Sequence, residues 1–131
     1  MKKGFLVNIE KETIANTDYR RILYTGQFSQ LVMMNLQSGE EIGVETHDGI
    51  DQFIRVEQGQ AKVILNGSQE HLLPAEHAVI IPAGTEHNVI NIGEGELKLY
   101  SIYSPAEHKD GTVQATKADE REEHFDGVTT E

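Results

Sequence analysis

The stretch Gly39-Glu40-Glu41-Ile42-Gly43-Val44-Glu45-Thr46-His47-Asp48-Gly49-Ile50-Asp51-Gln52, with Gly59 seven residues beyond it, decides how this chain is read. Side chains alternate along an extended strand, so Glu45 and His47 fall on one face, about 7 Å apart by strand rise and close enough to share one ion. Asp48-Gly49-Ile50-Asp51 has the composition of a tight reversal, which returns Gln52 to a place beside His47. A second stretch, Pro82-Ala83-Gly84-Thr85-Glu86-His87-Asn88-Val89-Ile90-Asn91, sets His87 just after a turn. Forty residues separate His47 from His87, and only a folded barrel closes that gap.

From about Arg21 to Tyr103 the chain is a succession of short β-rich runs with glycine-bearing punctuation, the spacing of an all-β sandwich or barrel. The predicted strands are Arg21–Thr25, Ser29–Leu36, Glu41–Thr46, Gln52–Glu57, Gln60–Leu65, Gln69–Leu72, Ala78–Ile81, His87–Asn91 and Glu96–Tyr103. Asn66-Gly67 predicts a type I′ hairpin, because that turn needs positive φ at both central positions. Residues 1–20, with the apolar patch Phe5-Leu6-Val7, form either an edge strand or a swapped arm. Residues 21–104 form the barrel, and 105–131 an acidic C-terminal tail. Thr116 three residues before Asp119 resembles a capping box, which predicts a short helix near Thr116–His124.

The chain has 131 residues, 37% hydrophobic and 25% charged, which fits one globular domain with one core. It has no cysteine, so disulfides, thiolate metal sites and cysteine nucleophiles are excluded. Eleven basic and twenty-two acidic residues give a net charge of -11, a field that repels nucleic acid and anionic membranes. No run approaches the ~20 apolar residues of a spanning helix, and the first residues lead into no signal-peptide stretch, so a cytoplasmic protein is expected.

The two stretches together resemble the paired motifs of the small single-domain cupins, in particular those labelled mannose-6-phosphate isomerase-like. The first motif runs Gly, five residues, His-x-His, three or four residues, Glu, six residues, Gly. Here Gly39, Glu45-Thr46-His47, Gln52 and Gly59 keep its spacing, with Glu45 in place of the first His and Gln52 in place of the Glu. The second is matched by Pro82, Gly84, His87 and Asn91, with Glu76 where the leading Gly belongs. The resemblance covers Gly39 to Asn91, about 40% of the chain. It implies a double-stranded β-helix, or jelly-roll barrel, holding a divalent ion on Glu45, His47, Gln52 and His87. Two imidazoles with a carboxylate and an amide oxygen suit manganese, iron, cobalt, nickel or zinc. The resemblance also implies a homodimer.

Asn91 is expected in a turn or packing role, and Gly59 and Gly84 for their backbone conformation. His71, His77, His108 and His124 lie outside the motifs and read as surface residues, His108 with a minor lid role. Met33 and Met34 point to opposite faces, so core packing is the expectation for whichever faces inward. Arg20, Arg21 and Tyr24 read as solvated groups at a strand start. The leading functional expectation is a metal-dependent enzyme acting on a small oxygenated metabolite such as a sugar or sugar acid, in isomerase-like chemistry. The alternatives are a metal-dependent dioxygenase and a non-catalytic small-molecule or sugar-binding module. Isomerisation also needs a base, which Glu45 supplies only if it is loosely bound, and the sequence fixes no other carboxylate near the ion. A phosphorylated substrate needs a cationic cluster that the motifs do not supply.

Overall fold

In chain order the regular elements are a helix, α1 (Ile9–Ala15), and nine strands: β1 (Arg20–Thr25), β2 (Gln30–Leu36), β3 (Asp51–Gln58), β4 (Gln60–Leu65), β5 (Gln69–Pro74), β6 (Ala78–Ile81), β7 (His87–Asn91), β8 (Leu97–Ser104) and β9 (Val113–Gln114). The structure, a computed structural model, describes residues 1–131. The strands form an antiparallel six-stranded sheet, ordered β6-β3-β8-β2-β1-β9, and a three-stranded sheet, ordered β5-β4-β7. The two sheets enclose one core, the all-β jelly-roll architecture expected of a double-stranded β-helix.

Period-two alternation decides what each strand turns inward. Gln52, Ile54 and Val56 are the buried positions of β3, and Leu97, Leu99, Ser101 and Tyr103 are buried on β8. The register pairs Gln52 with Tyr103, Ile54 with Ser101 and Val56 with Leu99. On β2, Leu36 pairs with Leu97 and Gln30 with Tyr103. One end of the barrel is therefore filled with Leu36, Val56, Leu97 and Leu99, while the other is lined by Gln30, Gln52, Ser101 and Tyr103. That gradient gives the molecule a dry base and a polar mouth.

Turn chemistry fixes the registers. Asn66 and Gly67 both adopt positive φ, 54° and 75°, and the Ser68 N–H donates to the Leu65 carbonyl at 3.3 Å, closing the β4–β5 hairpin. Gly59 lets β3 pass into β4 against the chain before β8, where a Cβ would stand 2.7 Å from the Glu96 carbonyl oxygen. Glu76, at the position where the motif has glycine, takes a φ of 68° with its side chain exposed.

Three expectations are corrected. Glu41–Thr46 is not a continuous strand: its pairing with β7 is reduced to isolated bridges, Glu41 to Ile90 and Glu45 to His87, with the Ile42 N–H donating to the Val89 carbonyl, because Gly43 at φ 107° interrupts the pleat. The first twenty residues contain α1 and no edge strand. Asn8 caps this helix by accepting the Lys11 N–H at 3.1 Å, and the helix packs on β8 and β3. The helix expected near Thr116–His124 is a single 3-10 turn, Lys117–Asp119, with the Asp119 carboxylate accepting from the Thr116 N–H and hydroxyl. The C-terminal segment is pinned to the barrel. Val113–Gln114 pairs with β1, the Thr130 N–H donates to the Thr25 carbonyl, and His108 and His124 form a bridge.

Candidate metal centre

Glu45, His47 and His87 meet at the polar mouth, and each offers one ligand atom within 4.8 Å of the others. The backbone sets this up. Glu45 and His87 exchange both N–H···O bonds at 2.9 Å, and the Gly84 N–H donates to the His47 carbonyl at 2.9 Å, joining the turn before β7 to the turn before β3. The Ala83 N–H adds a bond to the Asp51 carboxylate at 2.9 Å. Gln52, inward-facing at the start of β3 and 2% exposed, donates from Nε2 to the Ser101 hydroxyl at 3.3 Å, while its Oε1 has no partner.

The orientation of the imidazoles is that of a ligand set. His87 Nδ1 lies 2.9 Å from the Thr85 carbonyl oxygen, which can only accept, so Nδ1 carries the proton and Nε2 is left with a free lone pair. His47 Nδ1 faces the Glu107 carboxylate at 3.4 Å, a neighbour that favours a proton on that nitrogen. His47 Nε2 stands 3.0 Å from Glu45 Oε2, yet it is buried with no aligned hydrogen bond. Two ligands at right angles around an ion, each about 2.1 Å from it, stand about 3.0 Å apart while pointing at the ion. The donor set therefore fits a divalent cation.

Electrostatics follow from the same contacts. The Glu45 carboxylate, with Glu107 adding, holds the His47 imidazole above its ordinary value against the opposing effect of burial. Burial pushes His87 down, which favours the neutral form a metal needs. Tyr103, its ring edge-on to His47 at 5.8 Å and to His108 at 5.1 Å, is raised by burial and stays a neutral phenol.

Above the centre lies a cavity of about 410 Å³, lined among others by Arg20, Glu45, His47, Glu107, His108 and Glu120. The C-terminal segment builds much of its wall. Gln30, 1% exposed, donates from Nε2 to the His108 carbonyl at 2.7 Å and accepts at Oε1 from the N–H groups of Glu107 (3.2 Å) and His108 (3.0 Å). Glu107 spans the seam, with Oε2 toward His47 and Oε1 accepting from His124 Nδ1 at 3.0 Å.

The Cupin domain family model matches residues 32–103, which runs from β2 to the end of β8 and includes all four candidate ligands. The chain belongs to the cupin domain family. It is 48% identical over 122 residues to the Bacillus subtilis (strain 168) protein YrkC, covering 89% of this chain and 66% of that one. It is 40% identical over 116 residues to an uncharacterized protein of Acanthamoeba polyphaga mimivirus, covering 86% and 72%. The chain thus spans about two thirds of the length of these relatives. Among solved structures, BH2720 from Bacillus halodurans superposes with a TM-score of 0.87 at 47% identity, over 89% of this chain and 92% of that one.

Two residues of this cupin depart from the surface placement expected of them. His108 is an inner wall of the cavity, its Nε2 enclosed and unpartnered, and burial pushes its pKa down to about 3, with the charge of Arg20 adding. No spacing in the sequence marks it, since Gln30, which seats it, is 78 residues away. Arg20 is 3% exposed, because alternation puts it on the same inward face as Ile22. That signal was available at the start of β1. Its Nη1 donates to Gln114 Oε1 at 2.9 Å and to Glu120 Oε2 at 3.1 Å. Arg21 and Tyr24 stay near the surface, the former against Asp18, the latter donating to Glu131 at 2.7 Å. His71 and His77 are exposed as expected, while His124, though exposed, lines the cavity mouth. Asn91 has the expected turn role, donating to the carbonyls of Leu36 and Gly95 and accepting from the Gly93 N–H. Met34 is in the core and Met33 is buried on the other face.

Proposed function

We propose that this cupin binds a divalent ion through Glu45, His47, Gln52 and His87 and is an enzyme acting on a small oxygenated metabolite, a sugar or sugar acid, in isomerase-like chemistry. The observation that carries the reading is the convergence of three ligand atoms within 4.8 Å beneath a polar cavity of about 410 Å³. That volume is at the lower end of small-molecule sites. A bound ion would supply Lewis acidity toward a carbonyl or hydroxyl oxygen. The chain's own residues do the rest. The Thr85 carbonyl holds His87 in the ligating tautomer and Glu107 orients His47, Gln52 offers a neutral oxygen from the barrel interior, and the bridged pair His108 and His124 forms part of the cavity wall. The isomerase-like assignment rests on the motif resemblance.

A second reading has one specific observation in its favour. Two histidines and one carboxylate are the ligand types of the facial triad used by iron oxygenases. Elemental analysis of the purified protein beside His47→Ala and His87→Ala tests the metal centre: near-stoichiometric metal lost in both variants is expected, and unchanged content in both would refute it. Sugar and sugar-acid conversion by the manganese or zinc form, without oxygen uptake by the ferrous form, separates isomerase from oxygenase. Binding without any product would leave a non-catalytic module.

A further inference from the structure

Six buried side-chain polar atoms of this chain have no hydrogen-bond partner. Two of them, Thr13 Oγ1 and Asn35 Oδ1, are remote from the cavity. The other four are His47 Nε2 and Gln52 Oε1, on two of the proposed ligands, and Arg20 Nε and His108 Nε2, on residues of the cavity wall. An unpaired buried polar group costs about 1–3 kcal/mol, so each of these calls for an occupant. The ion accounts for the first two. It does not account for Arg20 and His108.

Arg20 spends both of its hydrogen bonds from Nη1, on Gln114 and Glu120. The Nε–Nη2 edge, the other half of the guanidinium fork, has an unpartnered Nε. That edge matches the two oxygens of a carboxylate. Glu120 is shared between Arg20 at 3.1 Å and Lys117 at 2.9 Å, and those cations hold it ionised although burial opposes it. The cavity wall as a whole is acidic, with five glutamates beside two arginines, so an anion there would be held by the guanidinium fork together with the two positive charges of a bound ion. Glu122 and Glu123 are exposed and screened within about 8 Å at physiological salt.

We infer that the Nε–Nη2 edge of Arg20, with His108 beside it, is the subsite for the carboxylate of a small polyhydroxy or oxo acid whose other oxygens reach the metal centre. The inference rests on the metal-centre reading and narrows its substrate class from sugar or sugar acid to the acid. His108, kept neutral by its enclosure, hydrogen-bonds the same end of the ligand and is a specificity residue. The sequence offered no cationic cluster beside the motifs because Arg20 comes from β1 and Lys117 from the C-terminal segment.

The test is calorimetric titration of the zinc-loaded full chain with D-gluconate and with D-sorbitol, which share a carbon skeleton and differ in the terminal carboxylate. Metal content is measured on the same samples. Gluconate is expected to bind about 10- to 100-fold tighter than sorbitol. Arg20→Lys, which keeps the charge facing Glu120 but loses the fork, and His108→Gln are each expected to remove most of that preference with metal content unchanged. Equal binding of the two probes, or a preference untouched by both substitutions, overturns the subsite and leaves the metal centre standing. Gluconate preference that persists in a protein taking up no zinc overturns the metal centre and leaves the subsite standing. Should Arg20→Lys fail to fold, His108→Gln and the wild-type preference decide the matter.

Discussion

Glu107→Gln isolates a carboxylate that no motif contains. Its Oε2 lies 3.4 Å from His47 Nδ1, its Oε1 lies 3.0 Å from His124 Nδ1, and its side chain is 12% exposed. Two full charges at that separation would interact by about 5 kcal/mol at an effective dielectric of ~20. A metal-bound imidazole would carry only part of a positive charge on its distal N–H, so a quarter to a half of that figure is expected, about 1.2–2.4 kcal/mol. The expected result is a metal affinity lowered about 10- to 100-fold, the usual scale for carboxylates that orient a metal-binding histidine. The assay is competition with a chelator of known affinity at pH 8, where protons compete least for His47. Glu123→Gln is the control: it makes the same charge change on an exposed lip residue. Equal effects from both substitutions, or none from Glu107→Gln, would refute the argument that Glu107 acts through His47.

His108 gives the metal-free protein an acid-sensitive element. Its folded-state pKa, about 3, lies below the unfolded value of about 6.5, so the unfolded chain takes up the proton first and stability falls as pH drops between those limits, by up to about 1.4 kcal/mol per unit. Denaturant titrations at pH 7 and pH 4 are expected to show a smaller loss in His108→Gln than in the parent, and parallel losses would contradict the enclosure of His108. Glu76→Gly is expected to raise stability by about 0.5–1 kcal/mol, because relief of the left-handed backbone outweighs the added freedom of the unfolded chain. A lowered melting temperature would count against strain at that position. Gln30→Leu strands two N–H groups and one carbonyl of residues 107–108, and an expected loss of about 2–4 kcal/mol is read by the same titrations, together with faster hydrogen exchange at the Glu107 and His108 amides.

What the sequence made legible is what period-two alternation and turn chemistry control. Gln60–Leu65, Ala78–Ile81 and His87–Asn91 have their predicted bounds, and the Asn66-Gly67 hairpin has its predicted dihedrals. Glu45, His47 and His87 converge because the backbone of Glu45 pairs with that of His87 across the two motif stretches, although the continuous strand over Glu41–Thr46 that the spacing implies does not form. The misreadings have a different origin. The seven residues of α1 bury only Thr13, so no apolar stripe announces the helix, and the preceding Phe5-Leu6-Val7 drew the reading toward a strand. Glu41–Thr46 has strand composition, but Gly43 at φ 107° breaks the pleat and holds it out of the ladder. His108 and Glu107 reach the cavity through one buried amide far away in sequence, a contact that leaves no local pattern.

The two altered motif positions make physical sense together. The family pattern puts its carboxylate at the position of Gln52 and a neutral imidazole at that of Glu45, and this chain reverses the two, so the proposed ligand set keeps one negative charge. The exchange moves that charge from a side chain that is 2% exposed, with one serine hydroxyl for company, to one that is 31% exposed at the rim. An ionised carboxylate sealed beside Ser101 would weigh on the metal-free protein by its unpaid desolvation, whereas an amide there costs much less and still presents an oxygen inward. A carboxylate at position 45 keeps partial hydration until an ion arrives, and it lies beside the imidazole whose lone pair must converge with it. If these four residues hold a divalent cation as proposed, the substitutions preserve the charge it requires while moving the cost of holding that charge unpaired toward solvent.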